Sequence, residues 1–395
     1  MNSISKFPSW PHYAEDEIAA VTDVMRSGKV NYWTGGEGRL FEKEYSDYLR
    51  VQRAIALTNG SVALELPLQM WGIGAGDDVV VTPRSFIAST SCAVLLGARP
   101  VFADVDRDSG NITAESIERV LTPRTKAIIP VHLAGWPCDL DPIMELAEAR
   151  GIKILEDCAQ AHGARYKNRP IGSIGHAGAF SFCQDKIITT AGEGGLLATN
   201  DDEVWERSWS YKDHGKTWDA VYERQHGPGF RWVHERFGTN WRLTEPQAAI
   251  GRLQLGKLDS WVETRRRNAA IYTGHFQSLP ALRVPEVPSD FYHARYKFYA
   301  YIRPEALKSG WSRDRIIEEA ANRGVPGFSG SCSEIYLERA FEGTGWAPRE
   351  RLPQARELGE TSLMFLVHPT LPEDSVHRIC DVVQDILTAA TLLPR

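Results

Sequence analysis

The sequence predicts an α/β fold, with a large domain built on a mostly parallel sheet and a smaller C-terminal α+β domain. Two patterns point there. Short runs that are apolar at nearly every position, DDVVVTP, PVFADV, TKAIIPVHL and KILEDCA among them, alternate with helical segments as far as about residue 250. Such strands need cover on both faces, which helices returning between parallel strands provide. Beyond that point the pattern changes. YKFYAYIRP reads as a half-exposed strand, SRDRIIEEAANRG as a helix and TSLMFLVHP as another strand before a last helix near Pro372–Leu387. The expected domains are residues 1–255 and 256–395, joined by a long amphipathic stretch that begins EPQAAIGRLQLGKLD.

Along the first domain, EDEIAAVTDVMRSG sets Ile18, Val21, Val24 and Met25 on one side of a helix that Gly28 ends. NYWTGGEG is a Gly- and aromatic-rich loop, Leu40–Leu49 resumes helical spacing, and AIALTNG is a short strand closed by Asn59 and Gly60. Helices are expected over about Val62–Trp71, SFIASTSCAVLLG, Thr113–Val120 and LDPIMELAEARG, the last opened by Asp and closed by Gly. In AFSFCQDKIITTAGEGGLLAT two apolar strands flank a polar excursion.

Composition bounds the function. Hydrophobic residues make up 43% and charged residues 24% of 395, which is a globular balance. A net charge of -6, from 45 basic and 51 acidic residues, gives no reason to expect nucleic acid as a partner. The opening MNSISKFPSWPHYAEDE lacks the apolar run of a secretory signal, and no stretch approaches a bilayer-spanning length, so a cytoplasmic protein without membrane contact is expected. The six cysteines are scattered without a CxxC pair, so neither a disulfide framework nor a metal site is expected.

Three constellations carry chemistry. Asn59, Gly60 and Ser61 sit between a strand and a helix, where free amides and a hydroxyl suit a phosphate, although an ordinary helix cap has the same pattern. KILEDCAQAHG places Asp157 at a strand's carboxyl end, where a buried carboxylate needs a cation; a protonated pyridine nitrogen, a structural salt bridge, Mg²⁺ or a role as base would each answer that need. Gln160 and His162 follow in the turn, either able to meet a ring oxygen or ring edge. The third constellation is the polar excursion with Ser181, Lys186, Thr189 and the Gly192–Gly195 turn, where a lysine can approach a buried cofactor instead of solvent. An amine, an anion cradle and a carboxylate are what pyridoxal phosphate requires.

At these residues the chain resembles the DegT/DnrJ/EryC1/StrS family of sugar aminotransferases, within the aspartate-aminotransferase-like fold type I of pyridoxal phosphate enzymes. The resemblance implies that Lys186 forms the Schiff base, Asp157 pairs with the pyridine nitrogen and Gln160 lies near the phenolic oxygen. Phe86 of TPRSFIAS would stack on the ring, and Gly60, Ser61 and Ser181 would hold the phosphate. RFGTNWRLTEPQ resembles the stretch that reaches a neighbouring subunit, so Asn240 would contact the other site's phosphate in a homodimer with shared active sites, while Arg242 would bind substrate or knit the interface. Where members often carry His, Tyr or Phe after FSF, this chain has Cys183 and Gln184. Lys186 is kept, whereas the related sugar dehydratases carry His there. The implied reaction moves an amino group from an amino acid, by resemblance L-glutamate, to a nucleotide-linked keto sugar. The GEGG turn favours a 4-keto-6-deoxy acceptor over a 3-keto one, with a sugar dehydratase and a noncatalytic regulatory protein as further alternatives. Such an amino sugar would enter an O-antigen of lipopolysaccharide, another surface glycan, a glycosylated protein or a small natural product. Nucleotide contacts are expected near Asn31–Gly36, around His214 or in FSGSCSEIYLERAF, and the aromatics Tyr211, Trp218, Tyr222, Phe230 and Trp232 form a substrate-facing insertion, an interface or a packed loop.

Overall fold

The computed structural model describes residues 7–392, so Met1–Lys6 of the opening segment and the last three residues lie outside it. The chain opens with α1 (Glu15–Ser27), α2 (Glu37–Leu49), β1 (Arg53–Leu57), α3 (Gly60–Met70), β2 (Asp78–Val81), α4 (Ala88–Leu95) and β3 (Arg99–Phe102). It continues through α5 (Ala114–Glu118), β4 (Thr125–Ile129), α6 (Leu140–Arg150), β5 (Lys153–Asp157), the short pair β6 (Arg165–Tyr166) and β7 (Arg169–Pro170), β8 (Ala177–Ser181), β9 (Gly195–Thr199) and α7 (Asp202–Tyr211). The C-terminal part holds α8 (Glu245–Phe276), β10 (Leu282–Arg283), β11 (Phe291–Tyr292), β12 (Phe298–Ile302), α9 (Arg313–Asn322), α10 (Pro353–Thr361), β13 (Ser362–Phe365) and α11 (Glu373–Ala390).

Seven strands form the main sheet in the order β1-β9-β8-β5-β4-β2-β3. Neighbours from β8 to β3 run parallel, but β9 is antiparallel to both β1 and β8, so the sheet is mixed. That reversal follows from connectivity: β8 and β9 are joined by residues 182–194 without a crossover helix, and strands joined in this way pair antiparallel. The alternation of side chains sorts the strands between two cores. Ala54, Ala56, Val80, Ile128 and Ile154 face one. Ile55, Leu57, Val79, Val81, Ile129 and Leu155 face the other. Each buried aliphatic side chain contributes about 1.5–3 kcal/mol.

A three-stranded sheet, β10-β12-β13, packs with α8, α9 and α11 around a third core that includes Tyr272, Phe276, Phe298 and Phe365. The 32-residue α8, about 48 Å long, begins at a capping box of Thr244 and Gln247 and packs against α1 and α2 before reaching α11. The expected boundary at 255/256 falls within this helix. Gly28 caps α1 in the left-handed region as its position suggested, yet Ile18 and Met25 are exposed and Glu17 is that helix's buried residue. Val21 and Val24 are half-buried, so the apolar side of α1 is only partly covered in the single chain. Among the described residues, no helix is long and apolar enough to cross a membrane.

At the centre of the sheet a β-carbon on Gly178 would lie 2.5 Å from the Gly172 α-carbon. Backbone cannot yield as a flexible side chain does. Gly178→Ala is expected to destabilise the chain by about 1–3 kcal/mol, read as a lower urea midpoint.

Candidate active site

Because β1, β5, β4 and β2 run in one direction, their carboxyl ends deliver four turns to a single edge, with the β8–β9 connection at the same edge. Open α/β sheets form ligand sites there. From β1 the chain enters α3 through Asn59, whose side chain accepts from the Val62 amide at 3.0 Å. Gly60 is required by space: its β-carbon would meet the Ser181 β-carbon at 2.6 Å. The start of α3 and the end of β8 therefore touch. Exposed Ser61, buried Ser181 and first-turn amides without intrahelical acceptors are gathered in one place, a cradle suited to an anion.

Asp157 ends β5 and is buried. Its Oδ2 accepts from the Ser89 hydroxyl at 2.6 Å and its Oδ1 from the Ala159 amide at 3.1 Å. Burial raises this carboxyl above the usual range, against the pull of those hydrogen bonds and the Lys186 charge. A carboxylate so placed favours a positive partner. Gln160 is also buried, and its Oε1 accepts from the Ala134 amide at 2.8 Å, which leaves its NH₂ to donate.

Lys186 lies in the β8–β9 connection, with its backbone carbonyl held by Trp10 Nε1 at 2.8 Å. Its side chain is 16% exposed, and Nζ lies 3.5 Å from Asp185 Oδ1 and 5.2 Å from the centre of the Tyr296 ring. The electrostatic coupling to Asp157 ties this loop to the β5 turn. Phe86, 68% exposed, stands between Ser85 and α4. Ser85 bonds Ser89, so one hydrogen-bonded chain runs from the Phe86 turn to Asp157.

Other expected residues are placed differently. His162 does not face the site: Tyr45 OH binds its Nδ1 at 2.7 Å, its Nε2 binds the Ser181 carbonyl at 2.8 Å, and Phe180 and Phe182 surround it. It braces Ser181 from behind. Asn240 is exposed, bridged to Asp213 through the backbone, and its side chain accepts from the Arg242 amide. Arg242 itself is paired with buried Asp213 at 2.7 Å, inside its own chain. The aromatic group divides: Trp218 and Tyr222 pack with Trp33, Trp205 and Trp209, Tyr211 packs on Trp241, and Phe230 and Trp232 stay exposed. FSGSCSEIYLERAF is brought beside Phe86, through a bridge from Ser85 to Cys332 and a bond from Arg84 to Ser333 Oγ at 2.7 Å.

Ligand atoms of His132, Glu156 and Cys158 lie within 4.8 Å of one another. Their bonding describes a brace instead. Glu156 accepts from the Gly172, Ile174 and Gly175 amides and meets His132 Nε2 at 3.1 Å, while His132 Nδ1 accepts from the Cys138 amide. Burial alone would raise the Glu156 carboxyl; His132 and the glycine amides hold it below the usual range.

A model described as the DegT/DnrJ/EryC1/StrS aminotransferase family matches residues 11–384. The chain belongs to this family. Its members are pyridoxal phosphate-dependent aminotransferases of fold type I, the architecture seen here. The chain is 53% identical to the solved aminotransferase from Psychrobacter cryohalolentis, over 97% of this chain and 99% of that one, with a TM-score of 0.95. S. venezuelae DesV, solved in complex with a ketimine intermediate, is 34% identical over 94% of each chain with a TM-score of 0.84. The GDP-perosamine synthase of Caulobacter vibrioides is 38% identical over 360 residues, covering 90% of this chain and 92% of that protein.

Several neighbours of the candidate site carry no clear signal in the sequence. Ser89 lies within the quoted TPRSFIAS motif, where it follows Phe86 by three residues, and helical spacing alone could have flagged it. Trp10, Asp185 and Tyr296 reach Lys186 from distant or unmarked positions.

The His162 brace has a pH consequence. Burial lowers its folded-state pKa from 6.5 to about 3. As pH falls the unfolded chain takes up this proton first, so stability is full above about 6.5 and declines by about 1.4 kcal/mol per pH unit toward the folded value. Buried His293 acts in the same direction. Urea midpoints should fall between about pH 7 and 5, and His162→Gln should flatten that slope; an unchanged slope would count against a neutral, buried His162.

Proposed function

We propose that this chain is a nucleotide-sugar aminotransferase that holds pyridoxal phosphate through Lys186 at the carboxyl ends of β1, β5 and β8. The observation that carries the reading is the gathering of three groups at one sheet edge: a buried carboxylate from the end of β5, an amine from the β8–β9 connection, and an anion cradle from the start of α3 and the end of β8. The donor set fits the cofactor. The absence of a β-carbon on Gly60 lets the first turn of α3, with its free amides, lie directly against Ser181, and Asp157 is a buried carboxylate suited to a protonated ring nitrogen.

When bound, the cofactor supplies an electron sink for charge that develops beside the transferred amino group. Asp157, oriented by Ser89 and Ala159, keeps a proton on the ring nitrogen. Gln160, with its carbonyl committed to Ala134, donates toward the ring oxygen. Phe86 would stack on the ring, and Gly60, Ser61 and Ser181 would hold the phosphate, joined by Asn240 from a second copy of the chain. Exposed Phe230, Trp232 and Phe237 lie on the segment leading to Asn240, which supports burial of that segment in a homodimer. Lys186 Nζ takes the proton from the donor's α-carbon and later returns a proton to the carbon that receives the amino group.

The donor in this reading is L-glutamate and the acceptor a nucleotide-linked 4-keto-6-deoxy sugar. The GEGG form of the Gly192–Gly195 turn and the likeness to a GDP-perosamine synthase support the acceptor. On addition of L-glutamate the visible band of the loaded protein should move to the ultraviolet as 2-oxoglutarate forms. Supplied then with purified 3-keto and 4-keto nucleotide sugars, the protein should turn over the 4-keto compound; turnover only at C3 would overturn the acceptor assignment. Lys186→Ala should lower multiple turnover by at least about 10³-fold. Asp157→Asn should slow the glutamate step by about 10²-fold or more with little change in urea midpoint; an unchanged rate would remove Asp157 from its role.

A further inference from the structure

Beside the Lys186 loop lies a cavity of about 240 Å³ lined by Trp10, Asp185, Arg265, Tyr296, Lys297 and His368, among others. Its wall is continuous with the reacting lysine. Asp185 accepts from the Tyr296 hydroxyl and sits 3.5 Å from Lys186 Nζ, and Trp10 holds the Lys186 carbonyl.

Arg265 projects from α8 and is 2% exposed. Its Nη1 donates to the Tyr296 carbonyl at 3.3 Å and its guanidinium lies over the Trp10 ring, yet Nε and Nη2 have no hydrogen-bond partner. A fully buried guanidinium with two idle donors is costly unless an anion meets it. Lys297 adds a second cation and rests on the Tyr296 ring. Burial brings Arg265 down to about 9 and Lys297 to about 8, while His368, lowered to about 4, is neutral near pH 7. Against Arg265 and Lys297 the cavity offers the single carboxylate of Asp185, whose charge Lys186 and Tyr296 already engage.

We propose that this cavity is a carboxylate subsite for the amino donor, with Arg265 as its anchor and Lys297 as its second cation. A planar guanidinium with two free N–H groups matches a carboxylate. The cavity is smaller than the roughly 300–1,000 Å³ typical of larger ligands, so it suits a small acid and not a nucleotide. Its position beside Lys186 lets an amino acid present its amine to the lysine and a carboxylate to Arg265. The identity of the occupant as a donor rests on the aminotransferase reading; the anion site does not.

The test uses the full chain loaded with pyridoxal phosphate, with glutarate as a probe that cannot react. Calorimetry should detect glutarate binding, and both Arg265→Lys and Lys297→Met should weaken it by about tenfold or more. The half-buried Lys297 position guards against a folding failure at Arg265. Absence of glutarate binding, or equal binding by wild type and Lys297→Met, would overturn the proposal. L-glutamate and L-alanine then locate the contact: loss in Lys297→Met for glutamate alone assigns the side-chain carboxylate, and equal loss for both assigns the α-carboxylate. If glutarate binding responds to the substitutions but no amino acid alters the cofactor band, the donor assignment falls and the anion cavity stands.

Discussion

Burial of the Asp157 carboxylate at the end of β5 is the constraint around which the rest of this molecule is arranged. A charge removed from water there must be answered by hydrogen-bond donors and by a positive group. Ser89 and the Ala159 amide supply the first, and Lys186 faces it electrostatically from the next loop. The parallel strands around β5 bring the α3 start, the Phe86 turn and the Gln160 turn to the same edge. Reversal of β9 then lets residues 182–194 fold back over that edge, which is how a lysine between two strands comes to stand near a carboxylate from a third.

Close packing does as much as charge. Gly60 permits contact with Ser181, and His162, sealed among aromatic rings, fixes Ser181 from behind through its carbonyl. The neighbouring Glu156 is held by three amides and His132, so two adjacent acidic residues on β5 point into different environments. One is satisfied by its own chain. The other has its carboxyl raised by burial, so it gains most from a positive partner that would hold it ionised.

Much of this was legible in the residues. The alternating strands and helices, Gly28 as a helix stop and Asp157 at a strand end follow from local patterns that the fold preserves. His162 departs from the expectation because the AQAHG turn looks continuous in sequence, whereas Gln160 meets the Ala134 amide and His162 meets Tyr45 and the Ser181 carbonyl. The partial cover on the apolar side of α1 and the reversal of β9 depend on how segments meet, and periodicity does not carry that information. The same holds for Trp10, Arg265 and Tyr296, which converge on the Lys186 loop from three separate stretches of chain.

The central claim is that Lys186 is the amine that holds the cofactor. Borohydride reduction of the protein loaded with pyridoxal phosphate, followed by peptide mass mapping, addresses it directly. The account predicts a phosphopyridoxyl label on the peptide that contains Lys186, at close to one per chain. A label confined to other lysines, or none after loading, would contradict it.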